Sequence, residues 1–181
     1  MPFAVLIFLL VACEKENTGI SDHDDTSTSD YDTSNTEATV LFQFEYLNFA
    51  WGFAHSGWFI DNKGEIRGYN SPNDWKFVDS LGYITQDKLL LNYNQASTSL
   101  GQIDLDELLE KSQLIESTLN GELSERDCPG ADIGSFSLHC YYWDSDKNKY
   151  KRQFLSMTGD CERINTADEA KELTNFLKQY I

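Results

Sequence analysis

Aromatic side chains crowd residues 42–59 so densely that the backbone there has few choices: Phe42, Phe44, Tyr46, Phe49, Trp51, Phe53, Trp58 and Phe59. Phe42, Phe44 and Tyr46 alternate with Gln43 and Glu45, the two-residue period of a half-buried strand with its aromatic side on a core. The parity changes between Tyr46 and Phe49, which predicts a bulge near Leu47-Asn48 and strands over about 40–50 and about 53–60. Asp61-Asn62-Lys63-Gly64 supplies a turn, with Gly64 free to take positive φ, and residues 65–69 return as the other arm of a hairpin. Pro72-Asn73-Asp74 breaks the chain, and residues 75–78 read as a short edge strand.

The period then switches. Thr85 can cap a helix whose Leu89, Leu90 and Tyr93 share a face. After a Ser/Thr-rich break at 97–99, Asp104 and Glu107 have the spacing of a capping box. Leu105, Leu108, Leu109 and Ile115 make that second helix amphipathic up to Asn120-Gly121. Residues 133–143 and 150–157 are strand-like and flank the polar turn 144–148. Thr166 with Glu169 is a second capping box, opening a terminal helix that buries Ala170, Leu173, Leu177 and Tyr180. The order β-β-β-α-α-β-β-α predicts an α+β fold: an antiparallel sheet of about five to six strands, covered on one face by helices.

Ahead of this domain, residues 2–12 carry no charge and end in Leu10-Val11-Ala12-Cys13. Eleven apolar residues suit a signal-peptide core and fall short of the roughly 20 needed to span a bilayer. The segment resembles the bacterial lipoprotein signal peptide, with Leu10–Cys13 as its lipobox. That resemblance implies cleavage before Cys13, lipidation of Cys13, and attachment to the membrane through the lipid, in the bacterial cell envelope and most naturally at the outer membrane. Glu14-Lys15-Glu16 also resembles the export signal of Bacteroidota surface lipoproteins, and leaves open which side of that membrane the domain faces. Residues 13–38 hold eight acids, one Lys and many Ser and Thr. Such a tract buries too little apolar surface to offset its chain entropy, so a disordered tether is expected, with an r.m.s. span of about 25–30 Å. The division is therefore signal peptide at 1–12, lipidated tether at 13–38, and one globular domain at 39–181.

The formal net charge of −16 argues against nucleic acid, whose phosphates require a basic surface. Three cysteines remain in the domain, and an exported compartment permits disulfides. With the hairpin turn near residue 146, Cys128 and Cys161 flank its open end while Cys140 lies mid-strand, so a Cys128–Cys161 bond and a reduced Cys140 are expected. His139 and Cys140 are strand neighbours and project to opposite faces, which prevents their acting as a thiol–imidazole pair. Asp144, Asp146 and Asn148 have the first spacings of a calcium loop. Lys149 then stands where the loop needs Gly, and Leu155 where it needs Glu, so a polar hairpin turn is expected. No metal or cofactor is implied.

Trp51, His55, Trp58 and Trp75 sit near chain breaks and form the candidate ligand platform. Three function classes follow. The first is a non-enzymatic binding or structural domain of an envelope lipoprotein, inhibitor- or immunity-like, that meets an envelope protein. The second is a carbohydrate-binding module, which requires exposed aromatics set side by side to engage a glycan. The third is a hydrolase, which requires His55 or His139 within reach of a nucleophile in a pocket.

Overall fold

The computed structural model describes residues 39–181. The signal peptide, Cys13 and the acidic tether lie outside the described residues. Strands β1 (Val40–Asn48), β2 (Ala54–Asp61), β3 (Glu65–Asn70), β4 (Tyr83–Ile84), β5 (Thr98–Gln102), β6 (Ser135–Asp144), β7 (Lys149–Gly159) and β8 (Arg163–Ile164) form one sheet. Its order is β4-β7-β6-β1-β2-β3-β5, with β8 on β7, and every pairing is antiparallel. Helices α1 (Gln86–Gln95), α2 (Leu105–Ser112) and α3 (Asp168–Leu177) complete the α+β fold. Three strands of five residues or fewer (β4, β5 and β8) enlarge the expected sheet. Among the described residues no helix is long and apolar enough to cross a membrane.

Both faces of the sheet are packed, and β2 shows why. Trp58 and Ile60 point to one side, where Phe42, Leu138, Cys140 and Leu155 meet Leu108 of α2 and Leu173 and Leu177 of α3. Phe59, between them, points to the other side, where Tyr69, Tyr141 and Val40 meet Leu89 and Tyr93 of α1. So α2 and α3 cover one face as expected, and α1 goes to the second. The register shift between Val40 and Phe42 puts two even-numbered residues of β1 on opposite faces.

The bulge expected near Leu47-Asn48 is absent: β1 pairs regularly from Phe42 to Asn48. The aromatic parity changes because the strand stops, leaving residues 49–53 as a loop. Residues 75–78 are not a strand. The Asn92 amide pairs with both the N–H and the C=O of Lys76, at 2.7 Å each, and so takes the place of a neighbouring strand. The Ser/Thr-rich break at 97–99 instead opens β5.

The expected turn forms at Asp61. Its Oδ1 accepts from the N–H groups of Lys63 and Glu65, and Gly64 takes a φ of 80°. Asp104 caps α2 by accepting from Asp106 and Glu107 N–H, but this helix ends at Ser112 and a 3-10 turn covers Glu116–Asn120. Thr166 does not cap α3. The neighbouring Asn165 accepts from Ala167 N–H at 3.0 Å.

Cys128 and Cys161 are bonded and Cys140 is reduced and buried, as the hairpin geometry required. The bond closes a 33-residue separation at the mouth of the β6–β7 hairpin. In the chain-entropy treatment it contributes about 3.5 kcal/mol. Asp144 at the hairpin tip accepts from the N–H and ammonium of Lys147 and from the Tyr83 hydroxyl, which makes this a polar turn.

Candidate functional site

The residues named from sequence do not form one platform. His55 and Trp58 are three apart on β2, so strand alternation sends them to opposite faces. Trp58 is 4% exposed and packs against Phe44 on the α2/α3 side. His55 is 1% exposed and lies on the α1 side. There it meets Trp75 edge-on at 4.6 Å between ring centres. Trp75, half-buried, also stacks on Phe59 at 5.6 Å and leans on Tyr69 at 4.6 Å. Trp51 is 86% exposed in the β1–β2 loop.

The grouping found in its place is an aromatic cap. Phe49, Trp51 and Phe53 occupy the β1–β2 loop and Phe77 the segment before β4, all exposed. Phe49 touches Phe53 at 5.3 Å; Phe53 touches His55 at 5.9 Å; Phe77 stacks on His55 at 6.2 Å. His55 is thus the buried ring that Phe53 and Phe77 share, with Phe49 joined through Phe53. Phe49, Phe53 and Phe77 were missed from sequence because period-2 reading put them on strands, where aromatics belong to a core.

Beneath His55 is a buried polar network. Gln43 and Glu45, read from sequence as the solvent side of β1, are 0% and 4% exposed. Glu45 Oε1 lies 3.1 Å from His55 Nε2, and Glu45 Oε2 accepts from Arg152 at 3.2 Å. Gln43 donates to Tyr69 Oη at 3.0 Å and accepts from Tyr141 Oη at 2.6 Å. The Tyr69 hydroxyl also reaches the Phe44 carbonyl, passing over Gly57. A Cβ at Gly57 would lie 2.0 Å from that carbonyl oxygen and 2.7 Å from Tyr69 Oη, so only glycine fits. Each strand contributes through its inward parity: Gln43 and Glu45 from β1, His55 from β2, Tyr69 from β3, Ser137, His139 and Tyr141 from β6, and Arg152 from β7.

Burial alone would raise the Glu45 pKa. The His55 hydrogen bond and the charges of Arg152 and the two histidines outweigh it and hold the carboxyl at about 2. Burial, and then Arg152, depress the His139 imidazole to about 3 against the pull of Glu45, so this ring is neutral at ordinary pH. Burial, then Glu45, push the Tyr69 phenol well up. One carboxylate facing one guanidinium gives the network a fixed ion pair, buried on the Glu45 side and partly open to water on the Arg152 side.

His139 Nε2 is 3.0 Å from Ser137 Oγ, which places a hydroxyl, an imidazole and a carboxylate in one cluster. The arrangement is not a nucleophile relay. A relay uses one imidazole nitrogen for the hydroxyl and the other for the acid. Here the same Nε2 faces both Ser137 and, at 3.9 Å, Glu45, while Nδ1 has no partner. Cys140, on the opposite face, is held at about 12 by burial and sits 3.6 Å from Thr118 Oγ1. Among the described residues no cluster of three or more His, Cys, Asp or Glu is arranged to hold a metal ion.

The geometry therefore presents a buried polar network with four exposed aromatic side chains, Phe49, Trp51, Phe53 and Phe77, in the segments beside it. Comparison with known proteins finds no matching family model, no matching curated protein and no matching solved structure.

Proposed function

We propose that this chain is a cell-envelope lipoprotein, held at the outer membrane by lipid on Cys13, whose 39–181 domain binds an envelope protein through the aromatic cap. The observation that carries the reading is Trp51, 86% exposed in the β1–β2 loop between the exposed Phe49 and Phe53. Large rings left in water at a loop tip cost solvation free energy that a partner's pocket would recover. Phe53 and Phe77 rest on His55, which is held by Glu45, so these two rings have little side-chain freedom left to lose on binding.

The acidic excess sets the character of the partner. The chain has 30 acids against 14 Lys and Arg, of which 22 and 13 lie in residues 39–181, so the domain would steer a partner whose apolar pocket has a basic rim, as an inhibitor or immunity protein does. The β1–β2 loop that carries Trp51 follows Asn48, at the end of β1 opposite Val40 and about 30 Å along the strand from it.

Two measurements test the two halves of this proposal. Labelling cells with a radiolabelled fatty acid should mark the protein, and Cys13→Ala should abolish the label. Affinity capture from envelope extract with the full chain should retain a discrete partner that Trp51→Ser/Phe53→Ser loses while the variant keeps the parent's melting temperature. Equal capture by parent and variant would refute the cap as the docking surface.

A further inference from the structure

We propose that β5 is an edge at which two copies of this chain join their sheets, antiparallel and about a two-fold axis beside Leu100. β5 is the last strand on its side of the sheet: it pairs with β3 and with no strand beyond. All five of its residues are exposed, and among the described residues no turn or loop backbone bonds to their outer N–H and C=O groups. An open backbone edge is completed by another extended strand, because a strand presents alternating donors and acceptors at the same spacing.

The opposite side of the sheet is guarded and this one is not. There β7 is flanked by β4 and β8, each of two residues, and β7 itself carries Lys149 and Lys151 where it runs beside β4. Short edge strands and lysines are common means of preventing sheets from pairing edge to edge. The sequence of β5, Thr-Ser-Leu-Gly-Gln, has no charge and no proline. Its one irregularity is the extra residue Leu100, between the Ile66–Gly101 and Arg67–Ser99 pairs, which adds twist and keeps any seam short.

Charge and symmetry select a second copy as the occupant. Residues 39–181 hold 22 acids and 13 Lys and Arg, so two copies repel over most of their surfaces. A β5–β5 seam avoids that repulsion: antiparallel pairing sets Thr98 against Gln102, Ser99 against Gly101 and Leu100 against Leu100, with no charge in the ladder. An uncharged strand offers nothing to steer a basic partner, whereas it spares an acidic one. The seam is also self-complementary, as a two-fold interface requires. Leu100 lies over Gly68 and is 55% exposed, so its counterpart would cover apolar surface now in water, as cross-strand pairs do. Five residues a side bury less than the roughly 1,000 Å² of a durable interface, so the dimer is a weak one in exchange with monomer.

Disulfide trapping of the purified full chain in detergent micelles reads the seam directly. Under mild oxidation Leu100→Cys should give a covalent dimer, because residues opposite each other in such a pair lie about 4.5–5.5 Å apart between Cα atoms. Thr98→Cys alone should not, since its counterpart is about 13 Å away along the strand, whereas Thr98→Cys/Gln102→Cys should. Leu109→Cys, exposed on α2, sets the level of chance collision. In sedimentation equilibrium Leu100→Lys should weaken self-association about tenfold while keeping the parent's melting temperature. Added salt should strengthen the parent's association, as screening relieves the repulsion between acidic copies. A Leu100→Cys dimer yield no higher than that of Leu109→Cys would overturn the proposal. So would equal yields from Leu100→Cys and Thr98→Cys, a parent that stays monomeric at its highest soluble concentration, or an association that weakens with salt.

Discussion

The two faces of the sheet are built on opposite principles. The face under α2 and α3 is mainly apolar: Phe42, Ile60, Leu138, Cys140, Leu155, Leu173 and Leu177 make one cluster, and the uncharged Thr118 and Asn165 buried beside it bond to backbone carbonyls. The face under α1 combines aromatics with Gln43, Glu45, His55 and His139, all buried, around the Arg152 guanidinium. An apolar face tolerates imperfection, because a lost contact costs only its own area and cavity. A buried ionic face is all-or-none, because each group depends on its partner to offset desolvation. The exposed cap rests on the second kind of face, so its rigidity depends on charges that cannot be removed singly.

Deletions on the two faces should differ accordingly. Glu45→Ala strands Arg152 and His55 and should destabilise the domain by about 3–5 kcal/mol in urea unfolding. Leu173→Ala on the apolar face should cost about 2–4 kcal/mol and leave the cap's near-UV signal intact, whereas Glu45→Ala should weaken that signal. Equal near-UV loss in both variants would erase the contrast between the faces.

Acid should act on the polar face first. The folded His139 is depressed to about 3 from an ordinary 6.5, so the unfolded chain binds a proton that the folded chain refuses, and stability falls as pH drops from about 6.5 toward 3. Glu45 adds a second loss, from about 4.5 toward 2, as its depressed carboxyl is protonated. Urea midpoints measured from pH 7 to pH 3 should decline through this window, and His139→Gln should flatten its upper part. A His139→Gln curve parallel to the parent's would remove His139 from the account.

The smallest effect on stability belongs to the cap itself. Trp51→Ser touches a ring already in water and should change unfolding free energy by no more than about 0.5 kcal/mol. A larger loss would mean that the cap is part of the core.

The apolar face was legible in the sequence because period and composition agree there. Phe42 on β1 and Leu173 and Leu177 on α3 follow their strand and helix periods, and the Cys128–Cys161 bond follows from the hairpin's arithmetic. The polar face was not legible, because Gln43 and Glu45 alternate with aromatics as solvent-facing residues do. What buries them is Tyr69, Tyr141 and Arg152, which are 26, 98 and 107 residues away from their partners. No local pattern encodes that meeting. The site itself was half legible: His55 and Trp58 could be separated by their odd spacing on one strand, while Phe49 and Phe53 carry the same aromatic signature as core residues. Their exposure is decided by where β1 stops.

The most direct test of the cap as a docking surface is photo-crosslinking in intact cells. A photoreactive residue replaces Trp51 in one strain and Leu109, an apolar residue also more than half exposed on α2, in another. The account predicts one discrete adduct from position 51 that is absent from position 109 and disappears when Glu45→Ala is added. Adducts of equal yield from both positions, or an adduct at 51 that survives the loss of Glu45, would contradict it.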